Sequence, residues 1–342
     1  MILVNNPGTW SAVYPPLEHA QWNGWTYTDT IFPFFLFIVG AAMALSLGRR
    51  RAAGAAPGAL VRRLAGRAAA IIGLGLALGL VSFFAFHREH MRFPGVLQRI
   101  GVCVLAAGAI FLVGGARASA AAALALLLGY WALMGPGPLD PEGNLAARID
   151  HAVFGAHTWK PGWDPEGLLS TLPAIATTLL GVLAGERLRA GAPAGGIRGL
   201  FAAGALATAA GLLWGRVFPI NKSLWTSSYA LLMSGLACLC LAACVWIVDV
   251  RGWKRWATPL TWLGRNAIAA FTLSTLGAIA LIAIKVAVPD GKPRSLWTTV
   301  YRTLFDRFAD PRLGSLLFAV AYLALWLAIF GVLHRKRIFI RL

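Results

Sequence analysis

Residues Tyr14 to Leu47, YPPLEHAQWNGWTYTDTIFPFFLFIVGAAMALSL, run a group of polar, titratable and aromatic side chains straight into a long apolar stretch. His19, Asn23 and Asp29 stand at its mouth. Desolvation penalises charge at such a place, so ionisable groups there are candidates for function. A neutral imidazole acts as a base or a nucleophile near pH 7, and a carboxylate such as Asp29 or Glu18 would orient it and stabilise the imidazolium. Trp10, Tyr14, Trp22, Trp25 and Tyr27 crowd the same histidine. Aromatic rings at a membrane interface serve as belt anchors, and the same rings are platforms for sugar faces; both readings stand. Thr26, Thr28 and Asp29 also fit a helix N-cap worth about 1 kcal/mol, which alone would account for Asp29.

Other polar insertions mark the ends of apolar runs. Asn5 and Asn6, before Pro7 and Gly8, read either as a helix stop or as amide donors to a developing oxyanion. Gln98 and Arg99 interrupt FPGVLQRIGVCVLAAGAIF; the arginine either snorkels to the interface or faces inward to bind a phosphate or carboxylate. Asp164, Glu166, Ser170 and Thr171 lie in WDPEGLLSTLPAI, which reads equally as a turn that feeds acidic charge to a helix N-terminus. Asn221, Lys222, Ser223 and Trp225 follow in FPINKSLWTSSYAL, and Arg265 and Asn266 in TWLGRNAIAAF. No phosphate-binding glycine loop, dinucleotide fingerprint, zinc spacing or serine elbow is present.

The elements that must position these groups are membrane helices. Of 342 residues 58% are hydrophobic and 13% charged, a charged fraction about half that of soluble domains. The formal charge of +18 would suggest nucleic acid in a soluble protein. Here the basic residues gather in short loops between apolar runs, where they orient spans, so no nucleic acid is expected. Cys103, Cys238, Cys240 and Cys244 lie within apolar segments and read as small buried hydrophobes. At about 20 residues per span, the chain reads as nine spans near 29–48, 66–86, 95–114, 118–134, 168–188, 197–215, 225–248, 259–286 and 314–334. Met1 to Val4 look like the last turn of a further helix truncated by this numbering, which makes nine to ten spans of a single all-α transmembrane bundle over 1–342. No charged stretch with an apolar run opens the chain, so no signal peptide is expected.

Loop charge assigns sides. Arg49 to Arg51, Arg62 and Arg63, then Arg117, Arg187, Arg189, Arg251 and Arg335 fall on one side, expected to be cytoplasmic. A loop of about 5–28, with His19, and one of about 135–167 fall on the other. A lipid bilayer is thus the first expected partner.

The motifs VNNPG, HAxWNGxTxxD with FPFFLFIVG, FPGVLQRIG, DPEGLLST, INKSLWTSSY and GRNAI occur in an order that resembles the heparan-alpha-glucosaminide N-acetyltransferase family, in its bacterial, NagX-like form. The resemblance covers nearly the whole chain. It implies a multi-pass protein of the bacterial inner (plasma) membrane with its catalytic loop on the periplasmic side. It further implies acetyl-CoA as acyl donor from the cytosol and a glucosamine-type amine as acceptor. The family's active-site histidine falls on His19, its motif aspartate on Asp29 and its asparagine on Asn5. Asn23, Trp22, Trp25, Asp164, Glu166, Asn221 and Lys222 are then candidates for the acceptor site, and Gln98, Arg99, Arg265 and Asn266 for the CoA. A homodimer is compatible with such a chain, and no metal is expected. An amino-sugar permease and an O-acetyltransferase for an exported glycan are the alternatives. No inverted repeat is visible, and the polar residues centre on one histidine motif, which speaks against the permease.

Overall fold

A computed structural model describes residues 1–160, 162–190, 193–287, 291 and 293–340. Among the described residues eleven α-helices follow one another: α1 (Tyr27–Ala52), α2 (Pro57–Ala85), α3 (Val96–Met134), α4 (Leu145–Phe154), α5 (Thr171–Ala190), α6 (Pro193–Trp214), α7 (Ser227–Val245), α8 (Thr258–Gly264), α9 (Ala267–Ala283), α10 (Leu296–Leu304) and α11 (Pro311–Arg335). A two-residue antiparallel pair, Lys285–Val286 with Arg294–Ser295, joins α9 to α10.

Six of these helices, α1, α2, α3, α6, α7 and α11, are long and apolar enough to cross a membrane, and α8 with α9, bent by 71°, would make a seventh. The bundle is all-α as expected, and the difference from nine spans has two causes. The stretches expected at 95–114 and 118–134 both fall in α3, whose 39 residues would measure about 58 Å if straight. That is nearly twice the hydrocarbon thickness. The helix breaks at Gly115 (φ 61°, ψ −146°), a conformation that a side chain would resist, and so supplies two helical segments. The stretch expected at 168–188 is α5, whose Thr177, Thr178, Glu186 and Arg187 dilute its apolar character.

That same α5 is the centre of the molecule. It packs against α1 and α3 and also meets α6 and α7, while α2 lies along α3 and α6 along α7. Ala174, Ala176, Leu179 and Val182 of α5 are fully enclosed. A methyl group on Gly181 would overlap the Phe37 carbonyl, and one on Gly40 the Thr178 carbonyl. Gly181 and Gly185 stand four apart, the small-residue spacing that lets membrane helices approach backbone to backbone.

Pro33 sits within α1 and has no N–H to give to the Asp29 carbonyl four residues earlier. The hydroxyl of Tyr229 in α7 takes that place, donating to the Asp29 carbonyl at 2.6 Å. The starts of α1 and α7 are therefore tied at the residue singled out for chemistry. Loop contacts confirm that the His19 end gathers several connections: Trp22 Nε1 donates to the Leu139 carbonyl at 2.9 Å, and the Tyr14 hydroxyl to Asp310 at 2.8 Å. The arginine-rich turn at Arg49 to Arg51 closes the opposite end of α1.

Candidate active site

The loop before α1 is held by backbone and amide contacts. Gly24 N donates to the Ile220 carbonyl at 2.7 Å, and Asn221 Nδ2 to Asn23 Oδ1 at 3.3 Å. Asp29, at the third position of α1, is 1% exposed. Its Oδ2 accepts from the backbone N–H groups of Ala20 and Thr26, each at 3.0 Å. Its Oδ1 lies 2.7 Å from His19 Nδ1. Capping and histidine orientation, set against each other in the sequence, are thus done by two oxygens of one carboxylate. Lys222 Nζ stands 2.9 Å from His19 Nδ1, 3.3 Å from Nε2 and 3.4 Å from Asp29 Oδ1. Burial lowers the Lys222 ammonium below its ordinary pKa, against the pull of Asp29. His19 itself is half exposed.

This cluster opens on a cavity of about 360 Å³, of the size small-ligand sites have. Trp22, Trp159 and Trp163 supply aromatic faces, Trp22 and Trp163 meeting edge to face at 5.5 Å. Asn5, Arg92, Lys160, Glu166 and Lys222 supply polar groups. Among the described residues the Asn5 amide has no protein partner, which leaves it free for a ligand. Arg92 makes a fork on Asp164, Nε to Oδ2 at 2.7 Å and Nη2 to Oδ1 at 2.5 Å, and also bonds Glu166. Burial opposes its charge, but the Asp164 hydrogen bonds and both carboxylates raise its pKa above the usual guanidinium value. Asp164 also accepts from the N–H groups of Trp159 and Glu166, at 2.8 and 2.9 Å. Its lone pairs are then filled, so Asp164 shapes the wall and Glu166 faces the cavity. Behind them Asp150 of α4 accepts from Leu168 N at 2.8 Å, and burial pushes its carboxyl up to about 6.

The other residues expected at the site are placed elsewhere. Asn221 is buried, its Oδ1 accepting from Leu224 N at 2.9 Å, so with Asn23 it fastens two loops. Trp25 is 41% exposed and stands outside the cavity wall. Gln98 Nε2 is spent on the Phe93 carbonyl at 2.9 Å. Arg99 does not snorkel: it is buried, with Nη2 on the Gly167 carbonyl at 3.1 Å and Ser170 Oγ at 2.5 Å and its guanidinium over the Trp225 ring. Its Nε and Nη1 have no partner among the described residues. Arg265 and Asn266 lie at the bend between α8 and α9, where Asn266 Oδ1 accepts from Ile340 N at 2.8 Å and Arg265 covers Phe339. The four residues expected to hold CoA therefore fall in two separate places. Nothing in the sequence alone singles out Arg92, Trp159, Lys160 and Trp163. A buried pair of acids at Asp164 and Glu166 requires a cation on the same side, and the short loop before α3 was the place to look for it.

Fold and site together define a many-helix membrane protein with a histidine, carboxylate and lysine cluster at one end of its bundle, facing an aromatic cavity. The chain belongs to the heparan-alpha-glucosaminide N-acetyltransferase catalytic family, which it matches over residues 12–200, more than half its length. It is similar to the human heparan-alpha-glucosaminide N-acetyltransferase, 28% identical over 341 residues that cover 79% of this chain and 50% of the relative. It is likewise 28% identical to the mouse protein of that name over 345 residues, with the same shares. The chain thus spans about half the length of the curated relatives it matches. His19, Asp29, Arg92 and Asp164 lie inside the matched segment, and Lys222 and Tyr229 beyond it.

Proposed function

We propose that this protein is a transmembrane N-acetyltransferase that moves an acetyl group from cytosolic acetyl-CoA to the amine of a glucosamine-type sugar on the periplasmic side of an inner membrane. The observation that carries this reading is the His19 to Asp29 contact at 2.7 Å, opening on a cavity walled by three tryptophans. A carboxylate facing Nδ1 favours the tautomer with its proton there, which leaves the Nε2 lone pair for chemistry. In a direct route the sugar amine attacks the thioester carbonyl, its proton passes to Nε2, the C–S bond breaks and the thiolate takes that proton. In a carrier route Nε2 attacks first, the C–S bond breaks and the thiolate leaves; the amine then attacks the acetyl carbon, the bond to Nε2 breaks, and the proton the amine loses passes to the thiolate. The free amide of Asn5 is placed to polarise the carbonyl in either case. Aromatic faces beside Glu166 suit a sugar ring that carries an ammonium group.

The test is incubation of purified protein with labelled acetyl-CoA and glucosamine. His19→Ala is expected to lower product formation by about 10²–10⁴-fold, the usual contribution of a general base. Glucosamine uptake into vesicles without acetyl-CoA, retained in His19→Ala, would sink the reading in favour of a permease.

A further inference from the structure

The contacts around His19 Nδ1 are over-subscribed. Nδ1 lies 2.7 Å from Asp29 Oδ1 and 2.9 Å from Lys222 Nζ, and these two are 3.4 Å apart, so the angle between them at Nδ1 is about 75°. An imidazole nitrogen has one in-plane direction for a hydrogen or a lone pair. Asp29 and Lys222 cannot both occupy it. Asp29 has the shorter contact, and its second oxygen is fixed by two backbone donors that never give up their protons. The Nδ1 hydrogen therefore points at Asp29, and Lys222 meets the ring off that axis, near both nitrogens, with Asp29 at 3.4 Å the one carboxylate within ion-pair distance among the described residues and Glu166 acting on it from farther off.

Resting on the acetyltransferase reading above, we propose that Lys222 is a positioning residue that acts through His19: it holds the imidazole neutral, with Nδ1–H on Asp29 and Nε2 unprotonated, rather than gripping the acceptor sugar. An ammonium group so close to both ring nitrogens opposes a second positive charge on the ring. The same contact drives the proton off Nε2 towards the leaving thiolate once it has been picked up. Asp29 from α1 pulls the other way, Glu18 precedes His19 in the chain, and Arg92, Lys160 and Glu166 face the ring across the cavity. Lys222 is the nearest cation of these, and the loop that carries it is locked to the histidine loop by Asn221 and Gly24.

The experiment compares the pH dependence of kcat/KM for acetyl transfer to glucosamine in the full chain and in Lys222→Met, Lys222→Gln and Lys222→Arg. Losing the ammonium favours the imidazolium, so in the Met and Gln variants the acidic limb is expected to move up by about one pH unit. On that limb this is about a tenfold loss, recovered at alkaline pH, with KM for glucosamine within about twofold of the wild type. Lys222→Arg should keep the original limb. A parallel titration reads the ¹⁵N imidazole signals of labelled protein, the His19 signal being the one absent in His19→Ala. Its midpoint should rise in the Met and Gln variants. An unmoved limb and midpoint, with a KM for glucosamine raised tenfold or more, would overturn the proposal and make Lys222 an acceptor-binding group. If His19→Ala keeps full transferase activity, the acetyltransfer mechanism falls, while the ¹⁵N midpoint still decides the coupling of Lys222 to His19.

Discussion

Tyr229→Phe removes a single hydroxyl from the seam between α1 and α7, and its effect follows from a proline nearly two hundred residues away. Pro33 cannot donate to the Asp29 carbonyl, and the Tyr229 hydroxyl at 2.6 Å stands in the place of that missing donor. Tyr229 is fully buried and Asp29 nearly so. An unsatisfied buried acceptor costs about 1–3 kcal/mol, which for a chain of this size is a fall of a few degrees in Tm, on the order of 2–4 °C per kcal/mol or less. The proposed transferase activity should fall too, because the first turn of α1 that loses its anchor also carries the Asp29 carboxylate. Pro33→Ala alone adds an N–H aimed at a carbonyl already engaged and should change stability little. In the double variant the new N–H meets the carbonyl, and most of the loss from Tyr229→Phe should disappear. The measurement is a double-mutant cycle of Tm in detergent, followed by tryptophan fluorescence. If Tyr229→Phe lowers Tm equally with and without Pro33, the exchange of a helix hydrogen bond for a tyrosine hydroxyl is not what holds this seam.

Two further substitutions probe the cavity wall and the layer behind it. Arg92→Met strands the buried Asp164 carboxylate without its cation and should destabilise the fold by about 3–5 kcal/mol; an unchanged Tm in detergent would refute the structural role given to that pair. Asp150 has a folded pKa raised from 3.8 to about 6, so the folded state binds its proton more tightly than the unfolded chain does. Its penalty is absent below pH about 4, grows between about 4 and 6, and stands in full above 6, at about 3 kcal/mol for a shift of roughly two units. Asp150→Asn, which keeps an acceptor for Leu168 N, should therefore raise Tm above pH 6 and match the wild type near pH 4; a difference that persists at pH 4 would show that the carboxyl's ionisation is not the cause.

What could be read in the sequence was whatever repeats along the chain or sits close within it. The apolar runs marked the helices because their lengths are set by the bilayer, and His19 and Asp29, ten residues apart around a capped helix start, announced each other. Gly115 falls in the gap between two expected spans, which is where the helix breaks. Lys222 was visible only as a polar residue at a boundary: its contact with His19 spans 203 positions and has no periodicity to betray it. The same holds for Arg92, 72 residues from Asp164. Trp25 misled because an exposed aromatic beside a histidine has the same composition as a binding wall, and only the path of the loop decides which ring turns inward. Depth along a helix does not say which face a residue presents, so the sequence alone fits Arg99 equally to snorkelling and to burial.

The geometry around His19 depends on where α1 and α7 begin relative to each other. His19 takes its orientation from Asp29, whose side chain is fixed by the first turn of α1 and whose main chain is fixed by Tyr229 of α7. Lys222 precedes α7 and is bound to the histidine loop through Asn221 and Asn23. Both helices pack on α5, and α1 does so where Gly40 and Gly181 bring backbone against backbone, with no flexible side chain between to absorb a shift. A half-exposed histidine on a loop would ordinarily sample many orientations; here the loop is tied by hydrogen bonds to Asp29 in the first turn of α1, and close packing on α5 resists a slide of that helix. The small residues in the middle of the bundle thus serve the same end as the polar ones at its mouth: they hold three charged or titratable groups within 3.4 Å of one another, where small changes in separation decide who holds the proton.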